Sequence, residues 1–342
     1  MKKILIGLSG GIDSSVGLML LKRAGWVLEG ATYVTTDNDS AAKEASLLCN
    51  SENIPHTIID LKEEFKAKVI QYFIDEYMTG RTPNPCVVCN PTIKWAKLMD
   101  LADRLGCWGI ATGHYAQIGE ENGRSFVRCG ADTKKDQSYF LYRLTQEQLK
   151  RTLFPLGGMT KDEVRAYAAM NGHEEISKMG ESQDICFLPD NDYRHFLTEN
   201  GYMAKKGNFI DVLGNVIGEH EGYPNYTIGQ RKGLRVAFGE PRYVVRIDAA
   251  RNEVTLGLKS DLEATSCIAG DVVWQKWDSF ADGAEVMAKY RYKTRAVRAR
   301  LYHASDGSIK TCFDMPADAI TPGQSIVWYD GDDVVGGGVI VS

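Results

Sequence analysis

In the first third of the chain, apolar positions follow two alternating rhythms. Residues 4–8, 28–33, 56–59 and 108–112 are short, nearly continuous apolar runs of the kind found in buried parallel strands. Between them, 14–24, 41–52, 61–78 and 93–105 space their apolar residues by three and four, as helices do. This alternation predicts an α/β fold, a doubly wound parallel sheet with helices on both faces. Beyond about residue 125 the rhythm fades. Residues 146–201 carry at least two further helices, one opening on Thr160-Lys161-Asp162-Glu163, a capping-box sequence. Then short β-type runs follow one another at 242–247, 254–258, 271–274, 286–292, 297–302, 325–328 and 334–341, with turn residues between them. They predict a small barrel or sandwich at the C-terminus. The changes of rhythm near 190 and 260 divide the chain into 1–190, 191–260 and 261–342.

With 342 residues, 44% of them hydrophobic and 25% charged, the chain has room for two or three domains and the wrong composition for a disordered or fibrous protein. Forty Lys and Arg against 45 Asp and Glu give a net charge of −5, so a surface for nucleic acid must be a local patch. The opening apolar stretch runs into Ser9-Gly10-Gly11 without a cleavage pattern and reads as a strand rather than a secretory signal. No apolar run reaches the length of a membrane span. The expectation is a soluble, cytoplasmic protein whose eight cysteines are reduced thiols, not a disulfide scaffold.

The sharpest chemical signal is Gly7-Leu8-Ser9-Gly10-Gly11-Ile12-Asp13-Ser14-Ser15, placed where the first strand turns into a helix. Its glycines admit a polyphosphate close to the backbone, and hydroxyls and helix N-terminal N–H groups offer donors. No Gly-Lys-Ser/Thr follows and the G-x-G-x-x-G spacing is missing, which excludes a Walker A loop and a dinucleotide fingerprint. A tight, well-capped glycine turn is the plainer reading, and the full motif at this joint outweighs it. The loop resembles the SGGxDSS pyrophosphate loop of the N-type ATP pyrophosphatases, which split ATP to AMP and pyrophosphate.

Three further features bear on the substrate. Thr82-Pro83-Asn84-Pro85-Cys86-Val87-Val88-Cys89-Asn90 reads as a proline-stiffened loop before a helix starting near residue 93. Its C-x-x-C pair is either two reactive thiols or half of a zinc site that His114 can complete. Cys186, in Ser182-Gln183-Asp184-Ile185-Cys186-Phe187-Leu188, reads equally as a buried structural thiol or as a sulfur carrier. Two separated thiols beside an adenylating loop make a coherent sulfur-transfer machine. Finally, Lys289, Arg291, Lys293, Arg295, Arg298 and Arg300 are interleaved with Tyr290 and Tyr292 and no acidic residue. On a strand, Lys289, Arg291 and Lys293 would share one face, either a phosphate-binding ridge or a solvated surface.

With these motifs the chain closely resembles the bacterial tRNA-specific 2-thiouridylases, which convert the wobble uridine of Lys, Glu and Gln tRNAs to 2-thiouridine. The likeness runs through residues 7–15, Gly80-Arg81-Thr82-Pro83-Asn84-Pro85 as far as Lys94, and Ala111-Thr112-Gly113-His114-Tyr115. It continues in Lys135-Asp136-Gln137-Ser138-Tyr139-Phe140-Leu141, Tyr226-Thr227-Ile228-Gly229-Gln230-Arg231-Lys232-Gly233-Leu234 and Thr321-Pro322-Gly323-Gln324. The resemblance implies an ATP pyrophosphatase domain, a small central domain and a C-terminal β-barrel, with tRNA lying across all three. It implies Cys89 as nucleophile and Cys186 as the persulfide carrier. ATP contacts fall on Gly7, Leu8, Ser9, Gly10, Gly11, Ile12, Asp13, Ser14 and Gly113, with Tyr33 at the adenine side. Asn84, Pro85 and Cys86 meet the target base, and His114, Lys135, Asp136, Gln137, Arg291, Tyr292 and Gln324 touch tRNA. The expected reaction uses ATP with Mg²⁺, and the expected persulfide donor is a cysteine desulfurase or sulfur-relay protein. Asp13 is the candidate for organising Mg²⁺ or the pyrophosphate loop, with no fixed metal ligand assigned. The chain departs from the pattern at Cys86, where many relatives carry Asp, and at 30–33, which lacks the usual Met. Two rivals stand beside this expectation: an adenylating amidase or ligase of the same superfamily, and a zinc-stabilised tRNA-binding protein without ATP.

Overall fold

The computed structural model describes residues 2–177, 185–188, 191–234, 236 and 239–342. The Ser182 to Asp184 part of the Cys186 motif lies outside the described residues. Seven strands form in the first half: β1 (Lys3–Gly7), β2 (Val27–Val34), β3 (His56–Asp60), β4 (Gly109–Thr112), β5 (Ala116–Glu121), β6 (Arg124–Cys129) and β7 (Thr152–Leu153). Five make a wholly parallel sheet in the order β3-β2-β1-β4-β7. On the central strand Ile4, Leu5 and Ile6 are fully buried, because helices cover both faces. Ile4 and Ile6 pack with Leu18 and Leu21 of α1 (Ile12–Arg23) and Leu48 of α2 (Ser40–Ser51). Leu5 packs with Trp95, Leu98 and Leu101 on the other face. The chain leaves β1 towards β2, whereas β4 lies on β1's opposite side. A crevice therefore opens at the carboxyl ends of β1 and β4, where open α/β sheets bind ligands.

Two helical runs differ from the sequence expectation. Helix begins at Pro85, not near residue 93, and continues through Pro85–Cys89, Asn90–Trp95 and Ala96–Arg104. Pro85 suits a first helical position, where its missing N–H costs nothing. Pro91 would ordinarily break the helix. Here the chain widens into a π-type turn over Asn90–Trp95, and the Thr92 hydroxyl donates to the Val88 carbonyl at 2.6 Å. A similar π turn, Lys66–Ile70, interrupts the helix between Lys62 and Met78. The capping box at Thr160 forms as read, Thr160 and Glu163 each bonding the other's backbone.

A central four-stranded sheet, β8 (Gly207–Ile210), β9 (Val216–His220), β10 (Tyr243–Asp248) and β11 (Glu253–Gly257), has the order β10-β11-β8-β9. It closes over buried Phe209, Val244, Val254 and Leu256. The C-terminal strands are β12 (Glu263–Trp274), β13 (Ala284–Lys289), β14 (Val297–His303), β15 (Ile309–Asp318), β16 (Ser325–Asp330) and β17 (Asp333–Ile340). Their order β12-β15-β14-β13-β16-β17 is closed by β12 pairing with β17, an antiparallel barrel with no free edge in the ring. Because β13 ends at Lys289, residues 290–296 form a connection rather than a strand, and Lys289, Arg291 and Lys293 do not share a strand face.

The β5–β6 hairpin belongs to the barrel's sheet, not to the parallel one. Arg128 pairs with Asp333 of β17 and its guanidinium meets that carboxylate at 2.6 Å. The buried Gln275 amide accepts from Val127 N–H at 3.0 Å and donates to the carbonyls of Leu141 at 2.9 Å and Tyr142 at 3.0 Å. Among the described residues no helix is long and apolar enough to cross a membrane.

Candidate active site

The phosphate loop sits at the crevice. Gly10 has φ of +72°, and a Cβ there would come within 2.8 Å of Ala41 Cα, so the turn requires glycine. Ser14 shapes the loop from within: its Oγ accepts from Ser9 N–H at 3.1 Å and donates to the Gly11 carbonyl at 3.1 Å. Ser9 is exposed and Ser14 buried, and their hydroxyls lie 3.3 Å apart. Gly7, Leu8, Gly11 and Ile12 complete the turn into α1, whose first N–H groups lack intrahelical partners by construction. Gly113, just past β4, abuts the loop so closely that a Cβ would stand 2.7 Å from Ser14 N. Asp13 is bound to the protein itself. Lys161 meets its two carboxylate oxygens at 2.7 and 2.8 Å, and the Tyr115 hydroxyl donates to it at 2.6 Å. This supports organising the loop over ligating a cation. Among the described residues no group of three His, Cys, Asp or Glu side chains is placed to hold a metal ion. The Tyr33 hydroxyl donates to the Lys94 carbonyl at 2.6 Å, so it braces the neighbouring helix.

The thiols lie beside this crevice. Cys86 and Cys89 stand three residues apart on Pro85–Cys89, hence on one helix face, Cys86 half-buried and Cys89 only 6% exposed. Cys186 is exposed. Its neighbour Phe187 is buried against Phe65 at 5.7 Å, Phe73 at 5.3 Å and Phe196 at 5.3 Å, in the same apolar cluster as Cys89. Burial pushes the Cys89 thiol up to about 11 and raises that of Cys86, while the Lys94 ammonium pulls both down. Burial works against the Lys94 charge, and the three cysteines more than offset it. Lys94, Cys86, Cys89 and Cys186 therefore form one electrostatic cluster. Sequence reading missed the role of Lys94 because it placed Cys89 in a loop and began the helix only near residue 93, whereas the two residues lie five apart on one continuous helical run. In a π turn the i→i+5 bond brings Lys94 back over the preceding turn, and the signal for that turn was Pro91.

His114 joins the two halves of the site. Its Nδ1 lies 2.9 Å from Thr112 Oγ1 and its ring packs 5.4 Å from that of Trp95. Burial, helped by the Lys94 charge, lowers it to about 3, so the imidazole is neutral at ordinary pH. From Ser14 the path thus runs through Gly113 and His114 to Lys94 and the thiols.

Most side chains matched to tRNA contacts are already engaged. The Asp136 carboxylate accepts from Gly130 N–H at 3.0 Å, Ser138 N–H at 3.1 Å and the Ser138 hydroxyl at 2.8 Å. Gln137 accepts from Tyr115 N–H at 2.9 Å, and Lys135 is half-buried. Tyr292 packs 4.4 Å from Phe140, whose carbonyl accepts from the Asn90 amide at 2.9 Å. Asn84 is buried and meets the Tyr139 hydroxyl. Arg291 donates to the carbonyls of Ala319 at 2.6 Å and Ile228 at 3.2 Å and to the Thr321 hydroxyl at 2.7 Å. Gln324 reaches the carbonyls of Thr82 and Pro83.

Residues 2–190 match the family described as tRNA methyl transferase HUP domain, 194–258 the tRNA methyl transferase PRC-barrel domain, and 264–340 the aminomethyltransferase beta-barrel domain. The tRNA-specific 2-thiouridylase MnmA of Lachnoclostridium phytofermentans is 44% identical to this chain, with 100% of both chains covered. A tRNA-specific 2-thiouridylase MnmA 2 of Clostridium tetani is 46% identical, covering 99% of this chain and 98% of its own. The tRNA-specific 2-thiouridylase MnmA of Clostridioides difficile is 43% identical over 99% and 98%. Likeness of this extent, from the phosphate loop to the last barrel strand, shows that the chain belongs to the tRNA-specific 2-thiouridylase family.

Proposed function

We propose that the chain is an ATP-dependent tRNA-uridine 2-sulfurtransferase acting on the wobble uridine of Lys, Glu and Gln tRNAs in the cytoplasm. The observation that carries this reading is the junction of the phosphate loop with the thiol cluster, Gly113 touching Ser14 while His114 and Lys94 lead on to Cys89. An amide-forming enzyme would need the loop and not the thiols. A non-catalytic binding protein would need neither.

In this mechanism residues 7–14 hold the ATP phosphates, with Mg²⁺ arriving as part of the nucleotide substrate. The uridine leaves the anticodon stack and enters beside Asn84, Pro85 and Cys86. Its O2 attacks the α-phosphorus, pyrophosphate departs, and the oxygen becomes part of a good leaving group, AMP. The terminal sulfur of a Cys186 persulfide attacks C2 and AMP leaves. Cys89 thiolate then attacks the Cys186 sulfur, breaking the S–S bond. The transferred sulfur stays on C2, and a Cys89–Cys186 disulfide remains. A cysteine desulfurase or relay protein reloads Cys186. Residues 1–190 carry the chemistry, while 191–260 and 261–342 seat the tRNA.

The test uses the whole protein with a Lys-tRNA transcript, ATP, Mg²⁺, cysteine and a desulfurase, with nucleosides and nucleotides read by mass spectrometry. One AMP per 2-thiouridine is expected, with no thiouridine from Cys89→Ser or Cys186→Ser. ADP in place of AMP, or thiolation surviving in Cys186→Ser, would overturn the reading.

A further inference from the structure

The mechanism above ends with an oxidised pair of which one sulfur is buried and the other must be freed for reloading. The third thiol answers this need. Cys86 shares a helix face with Cys89 at a spacing of three, and Cα atoms so placed are close enough for a disulfide. Access falls in a graded order: Cys186 is exposed, Cys86 half-buried and Cys89 buried. Lys94 lies within electrostatic reach of all three and favours the thiolate forms of Cys86 and Cys89.

Resting on the sulfur-transfer reading, we infer that Cys86 is the resolving thiol of this enzyme, taking the disulfide over from Cys186 and presenting it to an external dithiol reductant. Cys86 thiolate attacks the Cys89 sulfur of the Cys89–Cys186 disulfide. The Cys86–Cys89 bond forms, the Cys89–Cys186 bond breaks, and Cys186 leaves as a thiolate that takes up the proton given up by Cys86. No net oxidation occurs in this step. The exposed carrier is thereby free for the next persulfide while the oxidising equivalents wait on the loop. A dithiol protein then attacks Cys86, the more accessible sulfur of the new pair, and is itself oxidised to a disulfide as both loop thiols are restored. Asp at this position can do none of this, so a chain carrying Asp must have its Cys89–Cys186 disulfide reduced directly.

The experiment reads connectivity rather than rate. Cys186 is loaded with glutathione persulfide, small thiols are removed, and ATP, Mg²⁺ and tRNA are added without reductant. The protein is quenched with iodoacetamide and its disulfides are mapped by mass spectrometry beside a count of 2-thiouridine. Wild type should show one Cys86–Cys89 disulfide per thiouridine formed, with Cys186 alkylated. In Cys86→Ser, whatever thiouridine forms should be matched by Cys89–Cys186. With a thioredoxin-type dithiol added, the ratio of steady-state to first-turnover rate should fall at least tenfold in Cys86→Ser. Thiouridine formed by wild type with Cys89–Cys186 retained, or with Cys86 alkylated, would overturn the resolving role alone. Absence of thiouridine from loaded wild type would instead sink the sulfur-transfer reading on which it rests.

Discussion

Gln324 of the barrel donates its side-chain amide to the carbonyl of Thr82 at 2.9 Å, and Thr82 N–H answers by donating to the Pro322 carbonyl at 2.9 Å. The loop between β15 and β16 therefore grips the segment leading into Cys86 and Cys89. Gly323 lets the two backbones close: its φ is +89°, and a Cβ would lie 2.8 Å from Thr82 O. Arg291 ties the same barrel loop to Ile228 of the central region. The segment that carries Cys86 and Cys89 is thus held by parts of the chain far from it in sequence.

Gln324→Ala should therefore slow chemistry more than it weakens binding. Loss of its two side-chain bonds, to the Thr82 and Pro83 carbonyls, each worth about 1 kcal/mol, should lower the single-turnover thiolation rate about thirtyfold with tRNA Kd changed less than twofold. Kinetics at saturating tRNA beside filter binding checks this. A weakened Kd with an intact rate would make Gln324 a tRNA contact and not a brace.

Arg291 and Arg298 should behave differently. Arg291 is half-buried and committed to three oxygens, whereas Arg298 on β14 is exposed. Arg291→Met should lower Tm, by several degrees, and leave the salt dependence of tRNA binding unchanged. Arg298→Glu should leave Tm within a degree or so and reduce the slope of log Kd against log salt by about one. If Arg298→Glu keeps the wild-type slope, that face of the barrel is only solvated surface.

Removing the charge of Lys94 should make both loop thiols harder to ionise, since burial already raises them and Lys94 opposes that rise. In Lys94→Gln, iodoacetamide alkylation of Cys89 at pH 8 should slow about tenfold and its pH profile should move to higher pH. An unchanged profile would remove Lys94 from the thiol cluster.

His114 titrates near 3 in the folded protein against 6.5 for a free imidazole. Between these values the unfolded chain binds the proton and the folded one does not, so this contribution is complete above pH 6.5 and is lost as pH falls towards 3. Urea melts from pH 7 to 4 should show a shallower fall in stability for His114→Gln than for wild type. Parallel curves would contradict a neutral, buried His114.

The parallel sheet was legible in the sequence because buried central strands are apolar on both faces, as Ile4, Leu5 and Ile6 are, and cannot be mistaken for surface. The phosphate loop was legible because its glycines serve geometry no other residue allows. What escaped depended on distant partners. Strands β5, β6, β8 and β9 carry polar and glycine residues, and β5 and β6 find their neighbours only when the barrel closes. Arg291 sat in a run of basic residues that local pattern leaves between a phosphate-binding ridge and a solvated surface, and only the folded chain shows carbonyls of two regions converging on it. The segment 82–90 read as a loop because of Pro83 and Pro85, yet Pro85 opens a helix that runs on through a widened turn at Asn90–Trp95.

The placement of the β5–β6 hairpin limits how this enzyme can be divided or recombined. The hairpin precedes the barrel by more than a hundred residues, yet Gln275 and Asp333 hold it there. A chimera that takes its barrel from a relative by cutting near residue 260 would carry the acceptor without the donor, leaving Arg128 and the Val127 amide facing surfaces shaped for another sequence. Inheritance of the barrel is thus tied to inheritance of a short stretch inside the nucleotide-binding half, and changes on either side of this joint must travel as pairs.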